Sequence, residues 1–183
     1  MSERLRLFVA VDVPAAARSA LTTWTDEAAP VEVRRVPAQN LHVTLAFLGM
    51  CTAADGAGAG AVLDDVARPV GALRTAGALW LPPRRPGVLA IALEHEAALA
   101  ELQRDLSVAL ADAIGFEPER RAFAPHITVG RVRRGTAVRT RDPLQPPALA
   151  FPARALTLYR SHTGPAGARY EALARAALDV EPS

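Results

Sequence analysis

One short phrase occurs twice in this chain, and it limits the folds open to it. Leu41-His42-Val43-Thr44-Leu45-Ala46-Phe47-Leu48-Gly49 is matched, 84 residues on from histidine to histidine, by Pro125-His126-Ile127-Thr128-Val129-Gly130-Arg131-Val132. Apolar and polar residues alternate in both, the mark of a half-buried strand. On such a strand His42 and Thr44 share one face, while Leu41, Val43, Leu45 and Phe47 share the other. His126 and Thr128 are set against Ile127 and Val129 in the same way. The apolar face anchors each strand in a core, and the other face presents an imidazole and a hydroxyl. Strict alternation puts Arg131 on the face away from His126, unless a bulge or the strand end turns it.

Around these two strands the pattern is mixed. Arg4 to Val11 alternates around Leu5, Leu7, Val9 and Val11 and predicts a strand. Pro14 opens a helix to about Glu27 with Leu21 and Trp24 on its stripe, and Val31 to Pro37 is a short strand candidate. The Leu41 strand stops at Gly49. An alanine-rich helix with three early glycines runs from Thr52 to about Val66. Leu73 to Leu81 and Val88 to Leu93 flank Pro82-Pro83-Arg84-Arg85-Pro86-Gly87 and read as an antiparallel hairpin. Glu96 to Ile114 places Leu99, Leu102, Leu106, Leu110 and Ile114 at helical spacing, with Gly115 as a natural stop. A strand from Phe123 to Val132 leads into an arginine- and proline-rich connection through Pro147. Leu149 to Arg160 is then a strand, and Ala168 to Leu178 fits a strand or a helix. The class is α+β. Each half holds strands, an amphipathic helix and one His-x-Thr strand, which suggests two lobes related by a pseudo-twofold.

At 183 residues the chain is near the size of one domain, so residues 1–183 are expected to form a single body that buries roughly 70% of its unfolded surface. Half the residues are hydrophobic and 22% are charged, an ordinary globular balance. No apolar run reaches the ~20 residues needed to span a bilayer, and the start lacks a signal-peptide pattern. Cys51 is alone, which removes an internal disulfide and a multi-cysteine zinc site. These features point to the cytoplasm and away from a membrane, and the protein is expected to act as a monomer. Every basic residue is arginine, a bias that base composition explains first, although arginine suits bidentate phosphate recognition. A net charge of only +2 argues against sequence-blind duplex binding and favours a local site for one phosphate.

A lone histidine on a strand is usually structural or surface-exposed. Two in matching contexts that face one cleft supply two titrating groups and two neutral donors. Opening a cyclic phosphate needs a base to deprotonate water and an acid to protonate the departing sugar oxygen, and histidine titrates in the right range. Threonine hydroxyls hold the phosphoryl oxygens. The strained ring is already reactive, so positioning and proton transfer suffice and neither a metal nor a cofactor is called for. His95, at a strand-to-helix junction, and His162, after Ser161, are expected at the surface. A nonenzymatic nucleotide-binding module is the main competitor. A metal-dependent phosphoesterase using His42, His126 and His162 is a weaker one, because no carboxylate joins either motif.

With these motifs the chain resembles the 2H phosphoesterase superfamily, specifically the RNA 2′,3′-cyclic phosphodiesterases also called 2′-5′ RNA ligases. The resemblance covers nearly the whole chain. It includes Leu7-Phe8-Val9-Ala10-Val11-Asp12-Val13-Pro14, Asn40 through Gly49, Leu158-Tyr159-Arg160-Ser161 and Arg169-Tyr170. It implies two pseudo-symmetric lobes, each an antiparallel sheet with a helix packed outside, around a central cleft. It also implies hydrolysis of an RNA 2′,3′-cyclic phosphate end to a 2′-phosphate, with RNA ends or cyclic nucleotides as partners. By the same resemblance His42 donates a proton to the leaving 3′ oxygen and His126 activates water. Thr44 and Thr128 bind the phosphate, and Arg131 matches the family's basic residue after the second motif, which adds it to the phosphate site. Ligation is the same chemistry with a 5′-hydroxyl replacing water. Phe8 and Phe123 lie near the motifs and offer stacking to a base, with core packing as their first role.

Overall fold

In the computed structural model, which describes residues 3–138, 144–164 and 167–178, every alternating stretch is a strand. The first half runs β1 (Leu5–Asp12), α1 (Ala15–Ala28), β2 (Val33–Arg35), β3 (His42–Cys51) and α2 (Ala53–Val66). There follow β4 (Ala72–Leu81), β5 (Val88–Leu93), α3 (Ala97–Ile114), β6 (His126–Val132), β7 (Ala150–Pro152), β8 (Ala155–Gly164) and β9 (Gly167–Ala177). The expected strand from Leu149 to Arg160 is broken between β7 and β8, and these two pieces part company in the sheet. Ala168 to Leu178 resolves as β9, which pairs with β8 along its length. Part of the expected arginine- and proline-rich connection, residues 139–143, lies outside the described residues.

Local chemistry accounts for the helices. α1 follows Pro14 and buries Leu21. Thr52 and Asp55 form a reciprocal cap at the start of α2, the hydroxyl accepting from the Asp55 amide at 3.1 Å and the carboxylate from the Thr52 amide at 2.7 Å. That cap offsets the weak propensity of the glycines behind it. α3 buries Leu99, Leu102, Leu106 and Leu110 completely and ends on Gly115, whose φ of 68° is the left-handed cap that glycine adopts without steric penalty.

All strand pairings are antiparallel, in the order β7-β4-β5-β6-β3-β1-β8-β9, with β2 pairing to β6. The sheet is continuous, but its centre is thin. β3 meets β6 at a single partnered position, Val43 with Ile127. Each side of that seam is led by one His-x-Thr strand, so one sheet is divided into two halves with matching leading strands. α2 packs on α3 and over β8 and β9, while α1 lies against β6. Leu7, Val9, Val43, Ile91, Ile127 and Leu158, buried on the helix-covered side, run the core across the seam.

Both leading strands depart from strict alternation at the same place, three residues after the histidine. Between the pairs Ala10–Thr44 and Val9–Ala46 the ladder skips Leu45. Between Ala90–Thr128 and Leu89–Gly130 it skips Val129. Each skip is a β-bulge that reverses the parity of the residues beyond it. Phe47 and Arg131 therefore swing onto the faces of His42 and His126. For Phe47 this corrects the expectation that it joins Leu41, Val43 and Leu45. For Arg131 it supplies the turn that strict alternation lacks. Gly130 is small for a further reason: a Cβ there would stand 2.3 Å from Cγ1 of buried Val33, so β2 packs against β6 only over a bare backbone. β3 also runs past Gly49, which takes a φ of 73°, and ends at Cys51 instead of stopping at the glycine.

Candidate active site

The seam between the halves opens into a cleft of about 450 Å³ lined by His42, Thr44, His126, Thr128 and Arg131. All five site residues expected from the sequence are thus brought together. Antiparallel pairing at Val43 and Ile127 runs His42 past Thr128 and Thr44 past His126, with the two histidines on the diagonal. Diagonal neighbours on one face of such a pair have Cα atoms roughly 7–8 Å apart. That spacing suits two imidazoles flanking one phosphoryl group.

The two rings are held alike. Nδ1 of His42 lies 2.7 Å from the carbonyl oxygen of Asn40, and Nδ1 of His126 lies 2.9 Å from that of Ala124, in each case two residues upstream. A carbonyl only accepts, so both Nδ1 atoms carry the proton and donate. Nε2 is left for the cleft on both sides. Asn40 is itself buried and donates from Nδ2 to the Ala168 carbonyl at 2.7 Å, which ties the turn before β3 to β9. The sequence shows Asn40 only as part of a string; its bond across the fold is what gives it a positioning role.

The surroundings of the two histidines differ. His42 sits among aromatic rings, with Phe8 at 4.8 Å and Tyr170 edge-on at 5.3 Å between centroids. Phe8 in turn stacks on Tyr159 at 5.3 Å. Asp12, the cross-strand partner of His42, accepts from the Tyr159 hydroxyl at 2.7 Å and pairs with Arg175 at 2.9 Å. Burial among these rings pushes the His42 pKa below the ordinary 6.5, against the Asn40 bond and the Asp12 charge, which raise it; the charges of His126 and Arg131 also lower it.

A sign follows for stability. The unfolded chain takes up a proton at His42 near pH 6.5 while the folded protein still resists it, so His42 costs the fold stability as pH drops through that value. In the free protein the His42 ring is expected to titrate below 6.5 by NMR, and added inorganic phosphate should move the midpoint upward by stabilising the imidazolium. An unchanged midpoint in phosphate would place the anion away from this ring.

Several residues of the cleft were not singled out by the sequence. Arg6 and Arg34 line it and, like Arg131, have no ion-pair partner among the described residues. Arg6 shares the cleft face of β1 with Phe8, and its period-two spacing from Phe8 and Asp12 was the available signal. Arg34 reaches from β2 to within 3.7 Å of the point where a Cβ on Gly167 would sit, so it spans the two halves. Among the other histidines, His162 is occupied with Glu171 at 2.7 Å and His95 is exposed. Among the described residues no group of three His, Cys, Asp or Glu side chains is arranged to hold a metal ion. No helix among them is long and apolar enough to cross a membrane.

No family model matches the chain. It is 31% identical to an RNA 2′,3′-cyclic phosphodiesterase of Escherichia coli K12, over 97% of this chain and 99% of that protein. It is 32% identical to one of Geobacillus stearothermophilus over 86% of this chain, and it spans about half the length of that relative, 50%. The crystal structure of E. coli LigT complexed with 3′-AMP matches with a TM-score of 0.79 at 30% identity, covering 96% of this chain and 99% of that one. Sequence identity at this level along almost the whole length, together with the same overall fold, means that the chain belongs to the RNA 2′,3′-cyclic phosphodiesterase family of the 2H phosphoesterases.

Proposed function

We propose that residues 1–183 act as one bilobed, monomeric, cytoplasmic enzyme that opens 2′,3′-cyclic phosphate ends of RNA to 2′-phosphates, without a metal. The observation that supports this reading best is the pairing of two carbonyl-locked imidazoles across one seam, each with a threonine beside it. Water attacks phosphorus in line with the bond to O3′. His126 Nε2 takes its proton while the P–O3′ bond breaks, and His42 Nε2–H gives a proton to O3′. The end then carries a 2′-phosphate and a free 3′-hydroxyl. Each proton transfer contributes roughly 10²- to 10⁴-fold. Thr44 and Thr128 donate to the nonbridging oxygens, and Arg131 offsets their charge.

The acid role asks His42 to be charged, whereas burial in the free protein favours its neutral form. The substrate resolves this: an anion against Nε2 stabilises the imidazolium, so His42 becomes an acid once the cyclic phosphate is bound. With the 5′-hydroxyl of a second RNA in place of water, the same displacement leaves a 2′-5′ linkage, and hydrolysis dominates because water is in excess.

Incubation with an RNA ending in a 2′,3′-cyclic phosphate, in EDTA, is expected to release the 2′-phosphate isomer alone. Substrate returned unchanged would favour a binding module, and activity lost to the chelator and restored by a divalent cation would favour a metal mechanism.

A further inference from the structure

Four arginines line the cleft, and no aspartate or glutamate stands among its described lining residues. Arg35 is paired with Asp26, whereas Arg6, Arg34 and Arg131 have no ion-pair partner among the described residues. Arg34 is the cross-strand partner of Arg131, so two guanidinium groups leave neighbouring strands side by side on one face. Like charges directly opposite each other destabilise a sheet, and a bound anion relieves that repulsion. Arg34 Nη1 also comes to 3.7 Å from the place of a Cβ on Gly167, at the close of the β8–β9 pair. Arg6 converges on the same stretch from β1: it precedes Leu7, the partner of Arg160, and so stands at the Ser161 end of β8. Ser161 and Thr163, two residues apart on β8, add hydroxyls to this wall.

We propose that Arg34 and Arg6 form a second anion site, separate from the reacting phosphate, that takes the internucleotide phosphodiester on the 5′ side of the terminal nucleotide. The enzyme then prefers the end of an RNA chain to a cyclic mononucleotide. The inference rests on the catalytic reading above, since it takes the reacting phosphorus to lie between His42 and His126. That phosphate has two nonbridging oxygens, and Thr44, Thr128 and Arg131 already supply three donors for them. Two further guanidinium groups therefore have no work there. Arg34 is one strand, about 4.8 Å, removed from Arg131, and Arg6 is one pleat repeat, about 6.6 Å, beyond Phe8, whose ring lies against His42. Both displacements are of the size of one sugar. In an RNA end the next phosphate is carried on O5′, one ribose away from the cyclic phosphate, so the ribose bridges the two anion sites. A phosphodiester offers two charged oxygens, one to each of two guanidinium forks that approach from different strands.

The test compares kcat/KM on the dinucleotide ApA ending in a 2′,3′-cyclic phosphate with that on the same dinucleotide joined by an uncharged methylphosphonate. The two differ only at the linking phosphorus, so contacts to bases and sugars cancel. Wild-type protein is expected to prefer the charged link by about tenfold or more, the scale of a hydrogen bond between charged groups. Arg34→Ala should erase most of that preference, Arg34→Lys should keep part of it, and Arg6→Ala should reduce it. Each preference is a ratio within one variant, so a general loss of rate does not disturb it. Adenosine 2′,3′-cyclic phosphate with and without a 5′-phosphate separates the two sources of such a group. A preference for the 5′-phosphorylated mononucleotide without one for the charged dinucleotide would overturn the assignment to an RNA chain. Equal efficiency of wild type on both dinucleotides, or an unchanged preference in both Arg34→Ala and Arg6→Ala, would overturn the second site while leaving the catalytic reading intact. Wild-type protein inert toward every one of these cyclic phosphates would overturn the catalytic reading and the inference with it.

Discussion

Replacing either His42 or His126 with alanine is expected to lower turnover of a 2′,3′-cyclic phosphate by roughly 10²- to 10⁴-fold, and the double variant should fall by less than the product of the two losses. The two imidazoles serve one displacement, so the second loss removes help that the first has already made ineffective. Folding should survive, because both rings lie at the cleft and neither is fully buried. The chief structural cost falls on His42→Ala, which leaves the part-buried Asn40 carbonyl without its partner at on the order of 1 kcal/mol, whereas the exposed Ala124 carbonyl can turn to water. Their separate roles are distinguishable. A phosphodiester with a nitrophenolate leaving group needs no acid, so His42→Ala should regain much of its rate on that substrate while His126→Ala should not. Equal rescue of both variants would reverse or dissolve the assignment, and a near-normal rate in either on the cyclic phosphate would remove the two-histidine scheme altogether.

The elements legible in the sequence were those whose signal is local. Period-two alternation located β1, β3 and β6, the leucine stripe located α3, and Gly115 marked its end. The candidate site was legible for the same reason, since His42 and His126 precede the bulges and parity still holds there. What the sequence hid lies beyond those bulges or depends on distant partners. Leu45 and Val129 look like ordinary inward residues, and only the ladder with β1 or β5 shows that each is an extra residue. Phe47 was consequently placed on the wrong face. Arg6, Arg34 and Asn40 carry no motif of their own; they matter because β1, β2 and the turn before β3 converge on one seam. The break between β7 and β8 was likewise invisible, because it sends the two pieces to β4 and β9, on opposite sides of the sheet.

Arg131→Ala is expected to lower kcat/KM by roughly 10²-fold, about 2.7 kcal/mol of transition-state stabilisation, in the range found when one preorganised donor is removed from an anionic site. The argument begins with Val129. Because the ladder skips it, Arg131 turns to the face of Thr128 and lines the cleft, where its charge is already felt by His42. The guanidinium has no carboxylate partner among the described residues, so nothing competes with a phosphate for it. Charge on the nonbridging oxygens is shared between ground and transition states, so the loss should divide between KM and kcat instead of falling on one alone. Arg131→Lys should recover part of it, since lysine supplies the charge but not the planar fork. The alanine variant should also let His42 titrate higher, because a repelling cation has gone. An Arg131→Ala enzyme with full activity and an unmoved His42 midpoint would mean that the bulge at Val129 serves only the packing of Gly130 against β2.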